Sequence, residues 1–333
     1  MLTSTLLHVP TLKALCERAG MRPSRASGQN FLINEHTLAQ VVAAVDPQCG
    51  ETILEVGAGF GVLTLALASS LSLRGSPRPK QSRPMAACGR TPDNARDCFA
   101  PLRSARNDTQ QGRIIAIERD PRIVPILREH AAVSPQITVI EANVLEVLDR
   151  GPQELLSPGA HASPYKMVAN LPYSITSDFL RALFDAAADG TLPPPERVVL
   201  LLQYEVVERL IGRTQQDRSL LTMLAHLHCG SVHRVARVPA THFWPAPKVQ
   251  SAVIALSEWR TPDQIAALVG GVGRAKLISI MQQGYASKRK QLQNTIAVPH
   301  DDAWHRAGIA PTARPAELTL QQWIALAYAI VNE

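Results

Sequence analysis

The sequence predicts an α/β fold: a Rossmann-like, mostly parallel sheet followed by a small C-terminal helical domain. Three observations carry that prediction. Short apolar runs alternate with helix-period segments between residues 30 and 257. The first strong run, "TILEV", feeds directly into a glycine turn, "GAGFG". Strand signals stop near Arg260, and the patterns beyond it are helical. The chain divides accordingly into an N-terminal segment (1–29), a β/α domain (30–257) carrying a basic insertion (72–112), and a helical domain (258–333).

The elements follow in order. "NEHTLAQVVAAV" sets Leu38, Val41, Val42 and Val45 on one helical face. "ETILEV" is a buried strand, and "VLTLALASSL" is the helix after its glycine turn. The stretch from Ser72 to Gly112 is rich in Pro, Ser, Arg and Gly, lacks an apolar period, and reads as a disordered insertion. "RIIAI" is a strand, and a helix is expected next, with Asp120 as N-cap and Pro121 at its first position. "QITVI" and "YKMVA" are strands. A Ser-capped helix in "SITSDFL" should bury Phe179, Leu180, Leu183 and Phe184. "DGTLPPPE" is a stiff loop. "RVVLLL" is a strand, with a helix around Val206, Val207 and Leu210, and "SVHRVARV" and "KVQSAVIAL" form a later strand pair. "DQIAALVGGV", "KLISIMQQGYA" and "ELTLQQWIALAYAIV" supply the terminal helices.

Composition narrows the classes. Hydrophobic residues are 46% and charged residues 19%, ordinary for a folded protein. No apolar run approaches the ~18 residues of a membrane span. The five cysteines are scattered, with no CxxC pair, which argues against a disulfide framework or a metal site and fits a reducing cytoplasm. "MLTSTLLHVP" lacks the features of a secretory signal; its freedom from acids up to Glu17 leaves an organelle-transit reading open. Of the net charge of +6, the segment 74–111 supplies +5, so overall charge says little about nucleic acid and local clusters must carry that argument.

Four positions sit in line at the carboxyl ends of successive strands, the edge where open α/β sheets bind ligands. They are Gly57, Glu118, Asn143 and Asn170. A glycine turn after a strand is most often only a turn. Here Gly57, Gly59 and Gly61 are spaced GxGxG behind Glu55, unlike the GxGxxG of dinucleotide sites. This resembles motif I of S-adenosylmethionine-dependent methyltransferases. Glu118 can accept from two ribose hydroxyls, because both carboxylate oxygens accept. Its plainer reading is a solvated helix-start acid. Such an acid normally follows the loop by about 20 residues; the insertion accounts for the longer spacing here. Asn143 falls where an adenine amine would be read.

"NLPY" (Asn170–Tyr173) suits transfer to a planar nitrogen. The lone pair of adenine's exocyclic amine is delocalised, and two hydrogen-bond acceptors favour a pyramidal nitrogen that can attack a methyl group. The Asn170 side-chain carbonyl and the Leu171 backbone carbonyl can be those acceptors. Pro172 stiffens the turn, and Tyr173 can stack on an extruded base. Catalysis is then positioning plus acceptors aimed at developing charge. The plainer reading is a strand-end turn with a core Tyr, and by itself the motif also admits glutamine or DNA adenine as acceptor.

Together, "GQNFL" (28–32), "EVGAGFGVLT", "NLPYSITSDFL", "LLQYEVVERLIG", "FWPAPKVQSAVI" and "SKRKQLQN" resemble the small-subunit ribosomal RNA adenine dimethyltransferases. The similarity runs from about Leu12 to Ile330, interrupted by the insertion. It implies a class I methyltransferase sheet that uses S-adenosylmethionine, with Asn30 and Leu32 folded over the cofactor beside Gly57, Gly59, Glu118, Asn143 and Asn170. It also implies the substrate: two adjacent adenines in the 3′-terminal hairpin of 16S rRNA in the 30S subunit, each dimethylated on N6 late in assembly. A monomer is expected. Asn143 and Gln250 stand where the family usually has Asp, and "DRSLLTML" departs from the family pattern at a helix start. The neutral amide of Asn143 can still accept, with weaker cofactor affinity as the expected result.

RNA contacts are expected from Phe243, Trp244 and Lys248 in the Pro-rich loop and from Lys288, Arg289 and Lys290 beside Tyr285. The plainer readings are a solvated charged helix face and aromatics that seal the core. Three rivals stand beside the main reading. An Erm-type 23S rRNA adenine methyltransferase shares the Asn-x-Pro-Tyr turn; Leu171 and "SKRKQLQN" argue against it. A catalytically weak ribosome-assembly factor on the same fold would bind cofactor without transfer. A nicotinamide oxidoreductase is disfavoured by the GxGxG spacing.

Overall fold

The computed structural model describes residues 2–23, 29–74, 112–151, 165–298 and 302–332. The expected insertion therefore lies almost wholly outside the described residues, as does Gly28.

Seven strands form one sheet: β1 (Thr52–Val56), β2 (Arg113–Glu118), β3 (Ile137–Glu141), β4 (Tyr165–Asn170), β5 (Arg197–Gln203), β6 (Cys229–Val238) and β7 (Ser251–Trp259). Their order is β3-β2-β1-β4-β5-β7-β6. β3 through β5 pair in parallel, and β7 runs antiparallel between β5 and β6. The order reverses between β1 and β4, so a crevice opens at their carboxyl ends.

The central strands are mostly apolar and buried along nearly their whole length because both faces are covered. One face buries Leu38, Val41 and Val45 of helix Glu35–Val45 and Leu63, Leu67 and Leu71 of helix Val62–Arg74. The other buries Phe179, Leu180, Leu183 and Phe184 of helix Thr176–Asp189, with Val207 and Leu210 of helix Tyr204–Ile211. Helix Val9–Arg18 packs Leu12, Leu15 and Cys16 against Phe60 and Ile123. The C-terminal helices Pro262–Val269, Arg274–Tyr285 and Leu320–Val331 close around the fully buried Trp323. Two of them start at capping boxes, Thr261 with Gln264 and Thr319 with Gln322. Met223 and Leu227 of helix Leu220–His228 belong to that same cluster, so its core begins before residue 258.

Two helix starts differ from expectation. After β2 the helix begins at Val124, not Pro121. The Asp120 carboxylate instead accepts from Arg122, whose N–H and guanidinium tie the intervening turn. After β4 a single 3₁₀ turn, Tyr173–Ile175, precedes the helix, and Ile175 caps it without a side-chain bond. The expected serine cap is absent because Ser174 lies within that 3₁₀ turn.

Among the described residues no single helix is long and apolar enough to cross a membrane.

Candidate active site

A cavity of about 740 Å³ opens at the crevice, within the usual range for small-molecule sites. Its floor is the loop after β1. Gly57, Gly59 and Gly61 have φ of +73°, +55° and +89°, a region that penalises side chains. Gly57 N–H donates to the Ile117 carbonyl at 2.8 Å, which fastens the loop to β2. A Cβ at Gly61 would stand 2.8 Å from Leu127 Cδ1.

Glu118 ends β2, is 8% exposed, and braces that loop. Oε2 accepts from Gly59 N–H at 2.9 Å, and Oε1 accepts from the N–H groups of Arg119 and Asp120 at 2.8 and 2.9 Å. A carboxylate offers about four lone-pair positions. Three are filled by backbone N–H groups, which leaves one position open toward the cavity. Glu55, on β1 beneath the loop, is almost fully buried. Burial pushes its carboxyl up to about 8; the Thr64 hydroxyl opposes the shift and the Glu118 charge adds to it.

Asn143 caps helix Val144–Arg150. Its Oδ1 accepts from Leu145 N–H at 3.2 Å, leaving one lone pair for another donor. It lines the cavity, as do Asn30 and Leu32. Leu32 is also buried against the sheet.

The acceptor turn is held from two sides. Asn170 Nδ2 donates to the Asn30 carbonyl at 3.2 Å. A carbonyl partner requires the nitrogen at that position, so Oδ1 is the end left without a donor among the described residues. No described donor reaches the Leu171 carbonyl either, although the Leu171 side chain is buried. Pro172 (φ −54°, ψ 133°) turns the chain. Tyr173 Oη lies 2.6 Å from Ser251 Oγ, the fully buried first residue of β7, and this bond fixes the ring. The sequence reading missed Ser251, because only the sheet order brings residue 251 to residue 173.

A two-stranded ribbon covers the cavity: Phe31 pairs with Trp244, and Leu32 with Phe243. Phe31 stacks on Phe60 at 5.0 Å and on Trp244 at 6.4 Å. Its ring lies 3.5 Å from where a Gly59 Cβ would be. The cover thus touches the glycine loop, the acceptor turn and the Pro-rich loop together.

Glu55 Oε2 is buried without a protein partner, and Asn170 Oδ1 is open. These unfilled polar atoms, above a floor in which Gly57, Gly59 and Gly61 carry no Cβ, fit a ligand bearing an ammonium, an amine and ribose hydroxyls. S-adenosylmethionine is such a ligand. Residues 22–74 and 109–331 match the family model described as ribosomal RNA adenine dimethylase.

The chain belongs to the ribosomal RNA adenine dimethylase family.

It is 29% identical over 328 residues to ribosomal RNA small subunit methyltransferase A of Dehalococcoides mccartyi strain 195, covering 96% of this chain and 93% of that one. It is 30% identical over 331 residues to the protein of the same name from Anaeromyxobacter sp. strain K, covering 96% and 97%. Among solved structures it resembles the 23S rRNA methyltransferase ErmE (TM-score 0.57, 22% identity, 90% of this chain and 99% of that one). It also resembles a dimethyladenosine transferase from Plasmodium falciparum (TM-score 0.60, 17% identity, 89% and 95%). The sheet is that of class I methyltransferases. As a ribosomal RNA adenine dimethylase, the chain is an enzyme whose methyl donor is S-adenosylmethionine, which supplies a methyl group on a sulfonium.

The dimethylase's expected RNA contacts are only partly at the surface. Phe243 is 3% exposed and packs in the sheet's core, so it is not available to RNA; the ribbon turns it inward. Trp244 is half-buried against Phe31, and Lys248 is exposed. Lys288, Arg289 and Lys290 are exposed, but they form a turn after helix Arg274–Tyr285, not a helix face. Tyr285 does not join them: its ring packs on Trp323 at 5.5 Å.

Proposed function

We propose that this dimethylase transfers methyl groups to N6 of two adjacent adenines in the 3′-terminal hairpin of 16S rRNA. Each adenine is methylated twice, within the 30S subunit and late in its assembly. Asn30, Leu32, Gly57, Gly59, Glu118 and Asn143 hold the donor, and Asn170 with the Leu171 carbonyl receives the amine. Tyr173 stacks on the extruded base, and residues 258–333 contribute RNA contacts through Lys288, Arg289 and Lys290. The enzyme acts as a monomer in the cytoplasm.

The observation that carries this reading is the orientation of Asn170. Its nitrogen is held by Asn30, so its oxygen, together with the Leu171 carbonyl, forms a pair of open acceptors at one end of the cavity. Two acceptors match the two N–H groups of an exocyclic amine, and no general base is needed. The methylated amine is acidic enough to lose its proton afterwards.

The test is to incubate the protein with labelled S-adenosylmethionine and unmodified 30S subunits and to map the methylated bases. Label on two adjacent adenines of the hairpin is expected. Label on other 16S bases, label on 23S rRNA in a parallel incubation with 50S subunits, or cofactor binding without transfer would overturn the proposal.

A further inference from the structure

β6 is the edge strand beyond β7, and it contains a bulge. Arg234 pairs with Ile254 and Ala236 with Val253, so Val235 is an extra residue. Residues 234 and 237 would face opposite sides of a regular strand, being an odd number apart. The bulge cancels that parity. Arg234 lies opposite Ile254 and Arg237 opposite Ala252, two positions apart on β7 and on the same face. Both guanidinium groups then meet one ring. Arg237 Cζ lies 4.6 Å and Arg234 Cζ 5.4 Å from the Tyr204 centroid, within cation–π range.

The two arginines are not equivalent. Arg234 is ion-paired with Glu208 on the helix that begins at Tyr204, and both side chains are mostly covered. This is a brace between helix and strand. Arg237 is exposed and donates to the Tyr204 hydroxyl, with no acidic partner among the described residues. A guanidinium has five donors, so Arg237 is a cation held in one orientation with most of its donors unused.

Its place in the sheet is informative. Asn170 pairs with Leu201, Leu201 with Val253, and Val253 with Ala236, the residue before Arg237. That row spans three strand spacings, about 14 Å. Tyr204 follows the last residue of β5, and its N–H donates to the Gln250 carbonyl at 3.0 Å, next to the Ser251 that holds Tyr173. Lys248, also exposed, precedes β7 at this edge. A polynucleotide strand leaving the acceptor turn over the carboxyl edge meets Arg237 within a few nucleotides.

We propose that Arg237, oriented by Tyr204 and brought to that face by the bulge, binds a backbone phosphate of the RNA strand that carries the target adenine. This rests on the reading of the substrate as RNA. The guanidinium fork matches the geometry of phosphate, and its prior fixation on the ring lowers the ordering cost on binding.

The experiment compares wild type, Arg237→Ala, Arg237→Lys, Tyr204→Phe and Arg234→Ala. It measures affinity for the 16S 3′-terminal hairpin against salt, the cofactor Kd, melting temperature, and methyl transfer to 30S subunits. Arg237→Ala should weaken RNA binding about tenfold and make the salt dependence shallower by about 0.7 to 0.9, the loss of one phosphate contact. Its cofactor Kd and melting temperature should not change. Arg237→Lys and Tyr204→Phe should fall between it and wild type. Arg234→Ala should chiefly lower the melting temperature.

If wild type methylates the 30S subunit but Arg237→Ala keeps the wild-type affinity and salt slope, the phosphate site is wrong and the proposed function stands. If Arg237→Ala melts earlier and its weaker binding keeps the wild-type slope, Arg237 is a brace and the proposal fails. If Arg237→Ala loses affinity and slope while the label maps to other bases, the phosphate site stands and the proposed function fails. If wild type does not bind RNA, both fail.

Discussion

Replacing Asn170 with alanine removes two separable interactions. One is the open Oδ1, which in the proposed function accepts from the attacking amine. The other is the 3.2 Å bond from Nδ2 to the Asn30 carbonyl, which holds the cover over the cavity. Deleting one preorganised hydrogen-bonding group at a reacting centre costs about 10²–10³ in rate, roughly 2.7–4 kcal/mol. The bond to Asn30 is an ordinary neutral one, with a net contribution of about 0.5–1.5 kcal/mol. Asn170→Ala should therefore lose at least a hundredfold in single-turnover methyl transfer, with the cofactor Kd rising about tenfold at most. Asn170→Asp keeps an acceptor but cannot donate to Asn30, and should fall between. The assay is single-turnover transfer of labelled methyl at saturating RNA, with the cofactor Kd measured by calorimetry. Transfer by Asn170→Ala within about threefold of wild type would refute the two-acceptor reasoning. A rise in cofactor Kd as large as the loss in rate would reduce Asn170 to a strut for the cover.

Three further outcomes are expected. Ser251→Ala strands the half-buried Tyr173 hydroxyl, at a cost of about 1–3 kcal/mol; single-turnover transfer should fall while cofactor affinity holds, and an unchanged rate would show that the ring needs no tether. The buried Glu55 carboxyl keeps its proton up to about pH 8 in the folded protein, against an ordinary value of 4.5. The folded state then binds more protons between those values, so its stability falls as pH rises through that window. Glu55→Gln should flatten this slope in urea titrations of the cofactor-free protein, and a slope that persists would assign it elsewhere. Deleting residues 76–110 should leave methyl transfer within about twofold of wild type, whereas a large loss of RNA affinity would make that basic segment part of the binding surface.

The sheet was legible because each buried strand is a short apolar run bounded by turn residues, and β1, β2, β4 and β5 are buried along nearly their whole length. The residues that line the cavity were legible for a related reason. A strand's last residue reaches the carboxyl edge whatever the rest of the fold does; Glu118 and Asn170 are such residues, and Gly57 directly follows one. Long-range pairing escaped the sequence. Nothing local to "FL" or "FW" announces that Phe31 will sit beside Trp244, so Phe243 read as an exposed aromatic when the ribbon turns it into the core. Ser251 and Arg237 escaped for the same reason. One is brought to the site by the antiparallel insertion of β7, the other by a bulge that no composition signal marks. Asn143 lines the cavity as its place after β3 suggests, and the helix cap that takes up part of its oxygen's accepting capacity carried no separate signal. Tyr285 was grouped with the lysines by sequence proximity, while the helix turns its ring to Trp323.

The ribbon also bears on synthesis. The contact between Thr37 and His242 that flanks it joins positions 205 residues apart. Chains emerge amino end first. The glycine loop, Glu118 and Asn170 all leave the ribosome well before Phe243 and Trp244, so the nascent protein carries the acceptors at the carboxyl edge yet no strand partner for Phe31. A growing chain therefore carries the lining of the cavity before the ribbon that covers it, and a fragment that stops at β5 should fold part of the sheet without acquiring a pocket that closes.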